Sequence, residues 1–224
     1  MHANMPSESH RRDVGMISEY NVSIVGVGGT GLLTAAAVLG EAAVRQGEKV
    51  RVGEIHGLAQ RGGVVNCDVR IGDKVFGPII MDLKANVLLS LELAETLRAL
   101  KKVSPESTIL MNSYRMVPPG LSAKGDQYPD EEKVLAITKG FTKNVFVLDA
   151  LKLAKKAGDP RTMNVVMIGA LAGITGFPLK KDLLRKAIMD LFPKAADINI
   201  KAFDLGYREL NASCVKHFPH HAML

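Results

Sequence analysis

A histidine, a glutamine and an arginine fall within one short run dense in glycine, His56-Gly-Leu-Ala-Gln60-Arg61-Gly62-Gly63. Histidine exchanges a proton near neutral pH, and the planar guanidinium fork grips a carboxylate or phosphate at two points. The glutamine amide both donates and accepts. Glycine permits positive φ and lets another molecule come close to the backbone. A hydrophobic core requires none of this, although a solvated surface turn is the plainer alternative. Upstream stands a second glycine-rich turn, Gly26-Val-Gly28-Gly29-Thr30-Gly31. Glycines there let a helix N-terminus reach an anion, where free N–H groups and the helix dipole stabilise negative charge. A nucleotide, a phosphate or a partner's carboxylate would suit it equally, and tight strand–helix packing alone also explains it.

The elements around these turns alternate. Asn21–Val25 reads as a buried strand, and Gly31 to about Gln46 as a helix apolar around nearly its whole circumference. Lys49–Gly53 and Val64–Ile71 read as strands, and Gly72-Asp73-Lys74 as a hairpin turn into Val75-Phe76. Ala85–Ser90 and Thr108–Asn112 follow as strands, with an amphipathic helix over Leu91–Leu100 between them. Beyond the Pro118-Pro119 loop come a helix or turn near Glu131–Gly140, a strand at Val145–Leu148 and a helix from Asp149 to Ala157. Three more helices cover Asn164–Ile174, Leu179–Leu191 and about Ala195 through Leu210. The expected fold is α/β and three-layered: a mostly parallel but mixed sheet with an antiparallel hairpin, flanked by helices, its first βα unit Rossmann-like. In such sheets strand ends open onto a shared edge, so the two glycine turns are expected to be neighbours. Residues 1–19 read as a flexible leader and 20–224 as one domain, with Met16 a candidate start.

Composition narrows the functions. The net charge of +6 is scattered in pairs such as Lys101-Lys102 and Lys155-Lys156, without the aromatic interleaving of a nucleic-acid binder, so no nucleic acid is expected. Cys67 and Cys214 are the two cysteines and lack Cys-x-x-Cys spacing, too few to ligate an iron–sulfur cluster or structural zinc. They suit a reducing cytoplasm. No stretch nears the roughly 20 apolar residues of a membrane span. Glu54, 23 residues after Gly31, completes a dinucleotide fingerprint with Gly26-x-Gly28-x-x-Gly31, so an NAD-type dehydrogenase or a nucleotide-binding regulatory module is one reading. Glu92 and Glu95 read as a solvated helix face, Asp82 and Asp149 as caps, and His217, His220 and His221 as a solvated tail. Ser90, Ser113 and Ser213 fit no nucleophile motif.

The two turns together resemble the gamma subunits, or gamma domains, of 2-oxoacid:ferredoxin oxidoreductases, and the octapeptide is most similar to the indolepyruvate type. The resemblance continues through Asp82–Leu89, Asn112, Pro118-Pro119, Asn164–Ala170 and Lys201–Gly206. Thr30 departs from it, standing where the family usually carries glutamine. The resemblance implies a subunit that is inactive alone. Its larger companion chain would carry thiamine diphosphate and iron–sulfur clusters of the 4Fe-4S kind. The complex would convert aryl 2-oxoacids to acyl-CoA with coenzyme A as co-substrate and ferredoxin as electron acceptor. It also implies site roles for His56, Gln60 and Arg61 in catalysis. Gly26, Gly28, Gly29, Thr30, Gly31, Gly62 and Gly63 would line the cofactor or subunit contact.

Overall fold

The computed structural model describes residues 17–56, 64–117 and 127–217. The apolar run after Glu19 forms β1 (Tyr20–Val27), buried along nearly its whole length because elements cover both faces of the sheet. The other strands are β2 (Val50–His56), β3 (Val64–Ile71), β4 (Ala85–Ser90), β5 (Val103–Asn112) and β6 (Asn144–Leu148), in the spatial order β2-β3-β1-β4-β5-β6. β1, β4, β5 and β6 run parallel, whereas β3 is antiparallel to both β1 and β2. The mixed sheet is as expected.

One face carries α1 (Leu32–Gln46), α4 (Ala150–Ala157), α5 (Met163–Ala172), α6 (Lys181–Leu191) and α7 (Ala196–His217). The other face carries, among the described residues, the short helices α2 (Glu95–Arg98) and α3 (Glu131–Lys139). α1 closes on Gly47 at φ 85°, with Glu48 N donating to Ala43 O, a left-handed stop that glycine takes without strain. α5 is buried on every side, as its unbroken apolar composition requires. Its closeness to α7 depends on two glycines. A Cβ on Gly169 would stand 2.0 Å from Phe203 O, and one on Gly206 1.9 Å from Val166 O. No larger residue fits while the helices stay in place.

Two local expectations fail for tertiary reasons. After Gly72 no strand forms at Val75–Phe76, because the amides of Asp73 and Lys74 donate to the carbonyls of Ile17 and Ser18, the segment entering β1. The antiparallel pairs are instead those β3 makes with β1 and with β2. The helix expected over Leu91–Leu100 contracts to α2 and a 3-10 turn at Leu100–Lys102. Leu91 N donates to Val25 O and Leu93 N to Tyr114 O, so these residues extend over the sheet edge before any helix begins. β5 also starts earlier than Thr108. Its register with β4 jumps between Ala85↔Val103 and Val87↔Thr108, which leaves Ser104–Ser107 as a bulge around Pro105.

Candidate functional site

The sheet register settles where the two glycine-rich segments are anchored. Val27, the last residue of β1, pairs with Val64, and His56, the last residue of β2, pairs with Val65. Adjacent strands lie about 4.8 Å apart, so the exits of β1 and β2 stand roughly 10 Å apart on one edge with the start of β3 between them. The backbone of His56 is thereby placed. Residues 57–63, which include Gln60, Arg61, Gly62 and Gly63, lie outside the described residues.

The first turn divides its glycines between two tasks. Gly26 and Gly31 serve packing. A Cβ on Gly26 would meet Thr30 Oγ1 at 3.0 Å and Leu91 Cβ at 3.3 Å, and one on Gly31 would meet Asn164 Nδ2 at 2.5 Å. Gly31 also has φ 85° and begins α1 with no side chain capping the helix. Gly28 and Gly29 face outward, and Gly29, at φ 96°, has open space where a Cβ would be. Thr30 is buried and closes the turn on itself, its hydroxyl donating to Val27 O at 2.8 Å. With Thr30 so engaged, what this turn offers a neighbour is bare backbone at Gly28 and Gly29.

The turn borders a cleft of about 580 Å³ at the carboxyl ends of β1 and β5, lined among others by Gly29, Gly31, Tyr114, Met116, Arg161 and Asn164. β1 hands the chain toward β2, and β4 hands it the opposite way toward β5, so this is the crevice a doubly wound sheet leaves for ligands. α1 and α5 both start at the cleft. Asn164 Nδ2 donates to Gly31 O at 3.3 Å, tying the second start to the first. The Asp159-Pro160-Arg161 turn leads into α5, and Arg161 makes a two-point ion pair with Asp159. Those hydrogen bonds hold the Asp159 carboxyl below the usual carboxylate range. Neither residue stood out in the sequence. Asn164 lies in a stretch that carries the family resemblance, but nothing local signals its reach to Gly31.

A second polar group backs the cleft and reverses an expectation. Glu92 and Glu95 are not solvated, being 1% and 8% exposed. Glu92 accepts from Met116 N at 2.9 Å and from the Tyr128 hydroxyl through one oxygen, and from Glu95 N at 3.0 Å through the other. It thus joins the end of β4 to the cleft-lining Met116. Glu95 meets Arg98 at 3.3 Å with one oxygen, while its other oxygen is buried without a partner. Burial, opposed by Arg98, pushes the Glu95 carboxyl above its ordinary value, and burial also raises the Tyr128 hydroxyl. These residues were missed because two glutamates three positions apart carry no sign of what covers them. Lys102, one of the scattered basic pairs in the sequence, is likewise buried, against Asp68. Asp149 does cap α4, accepting from Lys152 N, whereas exposed Asp82 pairs loosely with Lys101. Ser90 is buried and donates to Glu92 O. α7 runs as far as His217; His220 and His221 lie outside the described residues.

The dinucleotide reading loses its geometry. It needs β2 beside β1 and parallel to it, so that the acid ending β2 faces the ribose of a nucleotide on the glycine turn. Here β3 lies between them, and Glu54 pairs across Cys67, which in turn pairs with Ile24. The sequence of the pyruvate ferredoxin/flavodoxin oxidoreductase family matches residues 21–209. The chain belongs to that family. It is 43% identical over 194 residues to the indolepyruvate oxidoreductase subunit IorB of Pyrococcus horikoshii, covering 86% of this chain and 96% of that one. Its fold is similar to the keto/oxoacid ferredoxin oxidoreductase gamma subunit of Geobacter sulfurreducens, with TM-score 0.63, 21% identity, and 86% and 99% of the two chains covered. It is also similar to 2-oxoglutarate:ferredoxin oxidoreductase from Magnetococcus marinus, with TM-score 0.65 and 20% identity, over 88% of this chain and 32% of the longer one. The family's members are oxidoreductase subunits, and this chain is one of their kind. Among the described residues no helix is long and apolar enough to cross a membrane, and no three His, Cys, Asp or Glu side chains gather as metal ligands.

Proposed function

We propose that this chain is the smaller subunit of a 2-oxoacid:ferredoxin oxidoreductase of the indolepyruvate type, working in the cytoplasm and inactive without a larger companion chain. The companion holds thiamine diphosphate and 4Fe-4S clusters; two cysteines without cluster spacing leave this chain no means of holding the latter. Thiamine diphosphate, when bound to the companion, supplies the chemistry that lets carbon dioxide leave a 2-oxoacid. The acyl group passes to the sulfur of coenzyme A, and two electrons pass to ferredoxin.

The observation that supports this reading is the shared edge, where β1 ends at Val27 before the glycine turn and β2 ends at His56, the first residue of the octapeptide. The uncapped start of α1 and the open backbone at Gly28 and Gly29 fit an anionic group or a close-packed neighbouring chain. In this reading Arg61 pairs with a phosphate or carboxylate, Gln60 supplies amide hydrogen bonds, and His56 orients its neighbour by a hydrogen bond. Gly62 and Gly63 keep the segment free of bulk. The test is coexpression with the companion chain and assay against a panel of aryl and branched 2-oxoacids with coenzyme A and ferredoxin. Arg61→Ala is expected to weaken assembly or turnover at least about tenfold, as loss of a charged two-point contact does. Wild-type values for both would defeat the assignment, as would oxidation of 2-oxoacids by the isolated chain.

A further inference from the structure

Between β3 and β4 the chain crosses the thinly covered face of the sheet and turns apolar side chains outward. Phe76 is 88% exposed, Met81 70% and Leu83 60%, with Ile79 also exposed, while Val75 and Ile80 point inward and are buried. This segment is fastened from beneath by charged groups. Arg70 Nη1 donates to Gly77 O at 2.8 Å and to Ile79 O at 3.2 Å. Asp68 accepts from Ile80 N at 2.9 Å and is itself held by Lys102 Nζ at 2.7 Å and by the Ser23 hydroxyl. Leu83 N donates to Lys101 O, and Leu83 adopts φ 61°, a left-handed conformation that a leucine takes only under constraint. The backbone is therefore fixed in the shape that keeps its apolar side chains in water.

Exposed apolar surface on a rigid support marks a contact, since a preordered surface loses little freedom on binding. Building on the proposed function, we infer that Phe76, Ile79, Met81 and Leu83, with Ile55 of β2, form the surface on which the companion subunit docks. Three observations point to that occupant. The first is continuity. Gly53 has no side chain, so Pro78 and Ile79 lie directly on β2 there, each within about 3.3 Å of where a Cβ would be. Ile55 follows two residues later on the same face, and β2 then runs straight into His56 and the octapeptide. The second is the rim. Around the apolar centre stand exposed Arg51, Lys84 and Lys101, with Lys101 paired to Asp82 at 3.9 Å, and exposed Glu19 and Glu106, which line one hollow with Met81, Leu83 and Lys84. A mixed-sign polar rim around an apolar centre is the anatomy of a protein interface; an anionic membrane or nucleic acid would call for a basic one. The third is the cover of the sheet. Among the described residues five helices cover the opposite face, whereas α2 and α3 pack beside β4 and β5 and leave this face of β2 and β3 to the 72–84 segment.

The experiment compares wild type with Phe76→Asp/Met81→Asp and, as a control, Val44→Asp on the exposed side of α1. Each is coexpressed with the tagged companion chain, and the affinity, the exchange of backbone amides over 76–83 and the mass of the isolated chain by light scattering are measured. We expect at least about a tenfold loss of affinity for the double variant and wild-type affinity for the control, with unchanged melting of the isolated chain. Amides over 76–83 should exchange more slowly in the wild-type complex than in the isolated chain. Wild-type affinity of the double variant, or unchanged exchange, overturns the docking surface while leaving the proposed function standing. An isolated chain that is a dimer until the double substitution separates it, with companion binding intact, assigns the surface to a second copy and also overturns the inference. A wild-type chain that never binds the companion overturns both readings.

Discussion

The two faces of the sheet are built on different principles. Five helices cover one face, and its density comes from residues that are nearly absent: Gly169 and Gly206 let α5 and α7 meet backbone to backbone. On the other face the described residues form short helices α2 and α3 and a segment held by ion pairs and amide hydrogen bonds, with apolar side chains left outside. The first arrangement converts buried apolar area into stability. The second spends charged groups on shape, and shape is what a surface needs when another molecule completes it.

Removing a charge from the thin face should have the largest effect. Lys102→Ala leaves Asp68 buried without its cation, and loss of one member of such a pair costs about 3–5 kcal/mol. Chemical unfolding of the isolated chain should show that loss, and amide exchange should quicken first at Ile80. A loss below about 1 kcal/mol would mean that the ion pair does not hold the segment in place.

On the crowded face the corresponding change is Gly206→Ala. Its methyl would displace the Val166 carbonyl, so the helices must separate, at a cost of about 3 kcal/mol. Here the expectation is a lower melting temperature with amide exchange over 76–83 unaltered. If both variants loosened both faces equally, the contrast drawn between them would be wrong.

The smallest effect concerns Glu95. Its folded carboxyl binds a proton more tightly than the unfolded chain does, because burial outweighs Arg98. Its contribution is thus favourable at low pH, where both states are protonated, and is lost as pH rises from the ordinary carboxylate value through the folded one. Glu95→Gln should therefore gain stability relative to wild type as pH increases from about 4 to 8, by no more than about 1–2 kcal/mol. A melting series across that range checks the sign; a gap that shrinks with rising pH would refute the buried acid as the cause.

Much of the fold was legible from periodicity, since a segment's pattern of apolar residues is local. Val64–Ile71 and Ala85–Ser90 are the strands expected, and α1 occupies its expected run to Gln46. The site was legible in part. The glycine turn announced itself, yet its division into packing glycines, Gly26 and Gly31, and open ones, Gly28 and Gly29, depends on Leu91 and Asn164 arriving from far along the chain. Glu92, Glu95 and Lys102 resemble surface residues in any window of sequence, because no local pattern says which neighbour will cover them.

The sequence by itself determined an alternation of strands and helices, two glycine-rich segments following predicted strands and a cysteine count too low to ligate an iron–sulfur cluster. Each of these is a property of residue type and short-range spacing. Only the tertiary structure decided that β3 would lie between β1 and β2, removing Glu54 from a dinucleotide's reach while bringing the ends of β1 and β2 to one edge. Strand neighbours are chosen by hydrogen bonds and side-chain packing between residues remote in sequence. That choice is a property of the whole chain, and no single segment contains it.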